Sequence, residues 1–315
     1  MYSVISGSFI QLNHKGETPI SIIHVENLTK YYGQICGLNK ISFTVEPGEI
    51  FGFLGPNGAG KTTAIRLLLH LLHPTSGNIF IFDQNIKSHS DSIRQKCGYL
   101  PGDFSVYGHM TAGDFLVYAA RLRKCPLSQI TNLAERFGFQ NSLSKKIKHL
   151  SHGTRQKLGI LQTFFHEPEL VILDEPTTGL DPIIRDEFYQ FLREYQSKGK
   201  TIFFSSHNLP EVEKVCDRIA IIRQGELVAL EHLENLKKKR FRRLILRLKH
   251  AIEPLRLPEA QLINHAGLQY EFLLSGDLTG LLKHLASLPL ADIIFPEPTL
   301  EEVFLVYYKG EKNAQ

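Results

Sequence analysis

The chain has 315 residues, a formal net charge of +4 and an apolar fraction of 43%. That length suggests about two domains with ample material for a core, and so mild a charge makes no electrostatic case for nucleic acid. Cys36, Cys97, Cys125 and Cys216 are scattered without CxxC spacing, which argues for a reducing compartment and against a zinc site.

Met1 to Leu12 lacks a basic leader, and Ser3, Ser6, Gly7 and Gln11 interrupt its apolar residues, so no signal peptide is expected. Residues 1–20 read as a polar extension. From Ile22 the pattern turns strand-like, and Ile41, Phe43 and Val45 alternate with Ser42 and Thr44 up to the turn Glu46-Pro47-Gly48. Ile50 to Leu54 is an apolar run of buried-strand length. After a glycine-rich loop, Ile65, Leu68, Leu69 and Leu72 predict a helix ended by Pro74. From about Ser88 to Phe165 the pattern is mostly helical, with a stripe at Phe115, Ala119 and Leu122. His166-Glu167-Pro168-Glu169 begins like a zinc-protease motif, but Leu170 stands where its second histidine belongs.

Strand-like runs return at Leu170–Leu173, Thr201–Phe204 and Arg218–Ile222, and strands separated by helices imply a largely parallel α/β sheet. No run of about 18 apolar residues occurs, so any membrane role is expected to be peripheral. After Leu230 a basic cluster, Lys237 to Arg243, precedes a tail read as strand, strand, helix, strand and helix. In the last helix Thr299 and Glu302 have capping-box spacing, and Leu300, Val303, Phe304 and Tyr307 form an apolar stripe.

The string Gly55-Pro56-Asn57-Gly58-Ala59-Gly60-Lys61-Thr62 satisfies G-x-x-x-x-G-K-[ST]. Its glycines let successive backbone N–H groups turn inward around a triphosphate. The helix that follows adds its N-terminal partial charge. Lys61 supplies a point charge to the outer phosphates, Thr62 a hydroxyl for Mg²⁺, and Thr63 continues the loop into the helix. A chance match in a chain of this length occurs on the order of once in a hundred, and the flanking strand and helix lower that further. A nucleoside triphosphate with Mg²⁺ is therefore the expected ligand. Leu170 to Leu173 delivers Asp174-Glu175 at a strand end, which is the site edge of an α/β sheet. Asp174 is expected at Mg²⁺ and Glu175 at the attacking water. His207, at the end of another strand, is expected near the γ-phosphate.

This order of motifs resembles the ATP-binding subunit of an ABC transporter over roughly residues 22–232. Leu150-Ser151-His152-Gly153-Thr154 sits where that family has its LSGGQ signature. Gly179-Leu180-Asp181 resembles its D-loop, Ser206-His207-Asn208 its switch histidine, and Tyr32 the aromatic that stacks on adenine. The resemblance implies an α/β P-loop NTPase cassette over 21–235, with an antiparallel β subdomain and a helical insert at about 88–165. A small C-terminal α+β domain follows at 240–315. It implies a head-to-tail dimer, most simply of two identical chains, in which Ser151 and Gly153 of one copy reach the γ-phosphate held by the other. It also implies a separate multi-span permease, contacted near Tyr99 to Met110, at the cytoplasmic face of the cell membrane.

Two departures stand out. His152 and Thr154 replace Gly and Gln of the signature. Gly102-Asp103 stands where the Q-loop glutamine belongs, so either Asp103 substitutes or that contact is absent. Leu100-Pro101-Gly102 plus an acid, and Glu297 to Phe304, resemble the ABC-2 drug-export branch. Two other classes fit less well. Translation-type relatives carry two cassettes in one chain, and repair-type relatives insert long coiled coils between Lys61 and Ser151, for which this interval is too short. The basic cluster reads better as a solvated linker face, so no nucleic-acid partner is expected. A non-hydrolysing switch is disfavoured by the presence of both Glu175 and His207.

Overall fold

A computed structural model describes residues 3–5, 8–10, 21–234, 242–250, 252, 255, 257–258, 260–274 and 278–296. The chain divides into two compact units, Met1–Leu230 and Glu231–Gln315. The first unit begins with two short paired strands, β1 (Ser3–Ile5) and β2 (Ser8–Ile10), so part of the N-terminal extension is a hairpin.

An antiparallel layer comes next. β3 (Ile23–Tyr32) pairs with β4 (Ile35–Val45), on which Ile41, Phe43 and Val45 are buried, as their alternation predicts. β5 (Ile50–Leu54) is buried at all five positions, as a central parallel strand covered on both faces must be. α1 (Lys61–Leu68) leads to β6 (Ser76–Ile81) and β7 (Gln84–Asn85), which complete the antiparallel sheet in the order β4-β3-β6-β7.

α2 (Ile86–Gln95) and β8 (Cys97–Leu100) follow, then the helices α3 (Ala112–Arg123), α4 (Leu127–Arg136) and α5 (His152–Phe164). β9 (Leu170–Asp174), α6 (Pro182–Ser197), β10 (Thr201–Ser206), α7 (Leu209–Val215), β11 (Arg218–Arg223) and β12 (Glu226–His232) complete the six-stranded sheet β12-β11-β5-β10-β9-β8. The pairs β11–β5, β5–β10, β10–β9 and β9–β8 are all parallel.

Aromatic packing joins the two sheets. Phe43 of β4 stacks on Phe51 of β5 with centroids 5.6 Å apart, and Phe53 and Phe203 close the cluster. Phe51, Phe53 and Phe203 are fully buried, each contributing about 1.5–3 kcal/mol. The β5–β10–β9 pairings bring the C-terminal ends of three neighbouring strands to one edge. The loop after Leu54, the acids after Leu173 and the histidine after Ser206 therefore converge.

Three local expectations are corrected. The first helix ends at Leu68 rather than at Pro74. His70 takes a left-handed φ of 53°, and the Leu71 and Leu72 N–H groups turn back to the Arg66 carbonyl. The stretch read as mostly helical contains β8, an edge strand whose Cys97 and Leu100 are buried. On α3 the buried stripe is Ala112, Phe115, Leu116 and Ala120, while Leu122 is 67% exposed.

In the second unit, β13 (Arg242–Leu248), β14 (Ala260–Ala266), β15 (Gln269–Leu274), α8 (Leu278–Leu285) and β16 (Leu290–Ile294) form an antiparallel sheet ordered β14-β15-β13-β16. Three strands precede this helix, not two. Leu244, Leu246, Leu248, Tyr270, Phe272 and Leu274 pack with Leu281 and Leu285. The helix expected around Leu300–Tyr307 and the basic run from Lys237 to Arg240 lie outside the described residues. Among the described residues no helix is long and apolar enough to cross a membrane.

Candidate functional site

The loop between β5 and α1 is shaped by its glycines. Gly58 and Gly60 adopt φ of 79° and 109°, a region that disfavours side chains. A Cβ on Gly60 would stand 2.7 Å from the Gly37 carbonyl, and one on Gly55 would stand 2.4 Å from the Ile222 carbonyl. The loop is thus wedged between β4 and β11, and only glycine fits at both points. α1 carries no side-chain cap and no acid in its first turn. Its leading N–H groups, with their partial positive charge, are left for an anion.

A cavity of about 330 Å³ opens over this loop, walled by Asn57, Gly58, Gly60, Lys61, Thr62, Thr63, Asp174 and Glu175, with Tyr32, Ile35, Cys36 and Gly37 on the β3–β4 side. The Tyr32 hydroxyl lies 3.4 Å from Thr63 Oγ1, and the Lys30 ammonium stands 5.3 Å from the Tyr32 ring centroid. Tyr32 is 44% exposed, so it offers a ring edge and face at the cavity mouth.

Lys61 is buried at the floor. Its ammonium donates to the Gly55 carbonyl at 2.6 Å and to the Pro56 carbonyl at 3.2 Å, and stands 3.2 Å from Glu175 Oε1. Glu175 Oε2 is 2.7 Å from His207 Nδ1. Glu175 Oε1 is buried, and the Lys61 ammonium faces it across that 3.2 Å. The Glu175 backbone has φ 50°, left-handed for a non-glycine residue. The Glu175 N–H extends the ladder to the Ser205 carbonyl.

Asp174 is 3% exposed and satisfied from two sides. Thr62 Oγ1 donates to Oδ2 at 2.8 Å and Ser205 Oγ donates to Oδ1 at 3.0 Å. A threonine hydroxyl next to an ionised, hydrogen-bonded carboxylate is a hard oxygen pair of the kind that suits Mg²⁺. Burial, with the Asp174 carboxylate beside it, pushes the Tyr99 hydroxyl up to about 12. Gly102 lies against the same carboxylate, where an added Cβ would be 3.8 Å from Asp174 Oδ2. Position 102 therefore faces the acid but brings no side chain to it, and Asp103 is exposed.

The remaining predicted site residues do not wall this cavity. Ser151 caps α5, its Oγ accepting the Thr154 N–H at 3.2 Å. Gly153 is pressed against the loop before α6, where a Cβ would meet the Gly179 carbonyl at 2.3 Å. Gly179 in turn lies beneath the His152 ring, which occupies the position of the signature's missing glycine. Asp181 caps α6 through the Ile184 N–H at 3.0 Å. Sequence reasoning missed Ser205, whose registry opposite Asp174 gives it the contact, and the cavity wall at Ile35 to Gly37. The available signals were the Ser205-Ser206 pair before His207 and the hairpin after Tyr32.

The ABC transporter family profile matches residues 38–178. A bacitracin transport ATP-binding protein of Enterococcus faecalis is 39% identical over 220 residues, covering 69% of this chain and 71% of that protein. A probable multidrug ABC transporter ATP-binding protein of Escherichia coli is 37% identical over 227 residues, covering 70% of this chain but only 38% of its own length. Among solved structures, an ATP-binding subunit of an ABC transporter aligns with a TM-score of 0.65 at 29% identity, over 69% of this chain and 92% of that one. The nucleotide-shaped loop, the two acids and these similarities lead to one assignment: the chain belongs to the ATP-binding proteins of ABC transporters.

Proposed function

We propose that this chain is the ATP-hydrolysing motor of an ABC-2 type exporter and drives a separate multi-span permease from the cytoplasmic face of the cell membrane. The observation that carries the hydrolytic reading is the Lys61–Glu175–His207 chain, whose first two members line the cavity. In this reading the Gly55–Thr63 N–H groups and Lys61 grip the phosphates, and Tyr32 supports the adenine. Thr62 and Asp174 hold Mg²⁺, which offsets phosphate charge. Glu175 accepts a proton from the attacking water through Oε1, while His207 holds the other oxygen and faces the γ-phosphate.

Ser151, Gly153 and Asp181 stand outside the cavity walls, which fits a site closed by the signature and D-loop of a second copy. The cassette is assigned to 21–235 and an accessory domain to 240–315. The export reading rests on the names of relatives, among them the bacitracin and multidrug proteins above and a Nod factor export ATP-binding protein of Burkholderia lata at 35% identity. The test is Glu175→Gln. With Mg·ATP it is expected to bind nucleotide, to lose turnover by 100-fold or more, on the order of a missing general base, and to elute as a dimer. Wild-type turnover would remove Glu175 from the reaction.

A further inference from the structure

Glu175 and His207 meet at 2.7 Å, with the Glu175 side chain 19% exposed. His207 is 53% exposed, and Glu175 sits in a left-handed backbone conformation that surrounding contacts must maintain. What lies behind the pair is a buried polar knot centred on Glu211 of α7. Thr177 Oγ1 donates to Glu211 Oε1 and Oε2, both at 2.9 Å. Ser206 Oγ donates to Glu211 Oε2 at 3.1 Å and accepts the Asn208 N–H at 3.0 Å. Thr177 is two residues past Glu175, and Ser206 immediately precedes His207.

Thr177 and Ser206 are 6% and 0% exposed, and the Glu211 side chain is 12% exposed, so these bonds form away from water, where a carboxylate acceptor binds hydroxyls strongly. Arg185 stands 3.9 Å from Glu211 Oε1 and supplies the nearest countercharge. A second brace, the Gln156 side chain donating to the Pro176 carbonyl at 2.9 Å, fixes the residue between Glu175 and Thr177. The Glu175 loop is therefore held by α5 and α7 together, and the Glu211 side chain bonds to both the Glu175 loop and the His207 loop.

We propose that Glu211 is a positioning residue for hydrolysis: it ties the loop carrying Glu175 to the loop carrying His207 and keeps the two side chains in register. This rests on the hydrolytic reading of Glu175 given above. Glu211 does not line the nucleotide cavity, so its removal acts on turnover and leaves ground-state nucleotide binding alone. Geometric errors of an ångström at a reacting centre cost rate, not affinity.

The experiment is a double-mutant cycle on the full chain, reading ATPase turnover and the affinity for a fluorescent ATP analogue. Glu211→Ala is expected to lower kcat about tenfold to a hundredfold with affinity within about twofold of wild type. Glu211→Gln keeps one acceptor oxygen and is expected to fall between the two; it carries the test if the alanine variant does not fold. In a His207→Ala background, the loss from Glu211→Ala is expected to shrink to about twofold, since the register being protected no longer exists. The proposal is overturned by wild-type kcat in both Glu211 variants, by a loss that appears in affinity alone, or by losses that multiply fully in the double variant. Glu175→Gln is run in the same assay. Its retention of turnover would refute the assignment of Glu175, whereas a dead Glu175→Gln beside an active Glu211→Ala refutes only the positioning role.

Discussion

Ser205→Ala isolates the support beneath the proposed metal ligand. Ser205 is fully buried and lies opposite Asp174 in the β10–β9 register, so its hydroxyl reaches Oδ1 while Thr62 reaches Oδ2. The substitution deletes one oxygen and leaves a buried, ionised oxygen short of a donor. A hydrogen bond to a charged group contributes about 1.5–3 kcal/mol. By the same scale the freed carboxylate loses the contact that fixes its rotation, and losing such an outer support typically costs 10- to 100-fold in metal affinity. The expected outcome is a 10- to 100-fold rise in the Mg²⁺ concentration giving half-maximal ATPase, measured at saturating ATP with circular dichroism confirming the fold. Maximal rate at high Mg²⁺ should recover substantially, because the carboxylate itself remains. A Mg²⁺ titration within twofold of wild type would refute the argument, since Asp174 would then be oriented by Thr62 and the backbone alone.

Three further outcomes are expected. Lys61→Ala removes the only buried ammonium among the described residues at the cavity floor, and nucleotide affinity measured by fluorescence titration should fall by at least about tenfold, the scale of losing one charge-assisted contact. Gly153→Ala places a Cβ 2.3 Å from the Gly179 carbonyl; overpacking of this kind costs about 1–3 kcal/mol, with Tm falling by about 2–4 °C for each kcal/mol. Burial, with Arg123 beside it, pushes the His166 imidazole down to about 4 from 6.5. Because the folded value is lowered, its contribution is complete above about pH 6.5 and is lost as pH falls toward 4, by about 1–2 kcal/mol after allowance for its partial exposure. Urea unfolding at pH 7.5 and 5 should show that loss in wild type and a smaller one in His166→Gln.

What the sequence made legible was local. The Gly55–Thr63 loop could be read because spacing and residue type are dictated by one short turn into one helix. Asp174-Glu175 could be read because a run of buried-strand length ends on them. The helix end at Leu68 was hidden because His70, not the later Pro74, makes the turn. β8 was hidden because four residues paired on one side of a parallel sheet leave no periodicity to detect. Ser205 and Glu211 were hidden for another reason. Their partners Asp174 and Thr177 lie 31 and 34 positions away, and only the strand register and the packing of α7 bring them together. Short-range chemistry names the groups that touch nucleotide; long-range topology chooses the groups that hold them.

The phosphate loop also turns out to be internally occupied. Lys61 spends its donors on two carbonyls of its own loop and faces Glu175 across 3.2 Å. A triphosphate entering the cavity brings several negative charges against the single charge of Glu175, and it sits where the α1 N-terminus adds its partial charge. On the proposed reading Lys61 is then drawn toward the nucleotide and away from Glu175. On the proposed reading this exchange leaves Glu175 held through Oε2 by His207 alone, with Oε1 free for water. Binding and the arming of the base then become one movement of one ammonium. The tether that remains, from Glu175 to His207, is the contact that Thr177, Ser206 and Glu211 brace from behind.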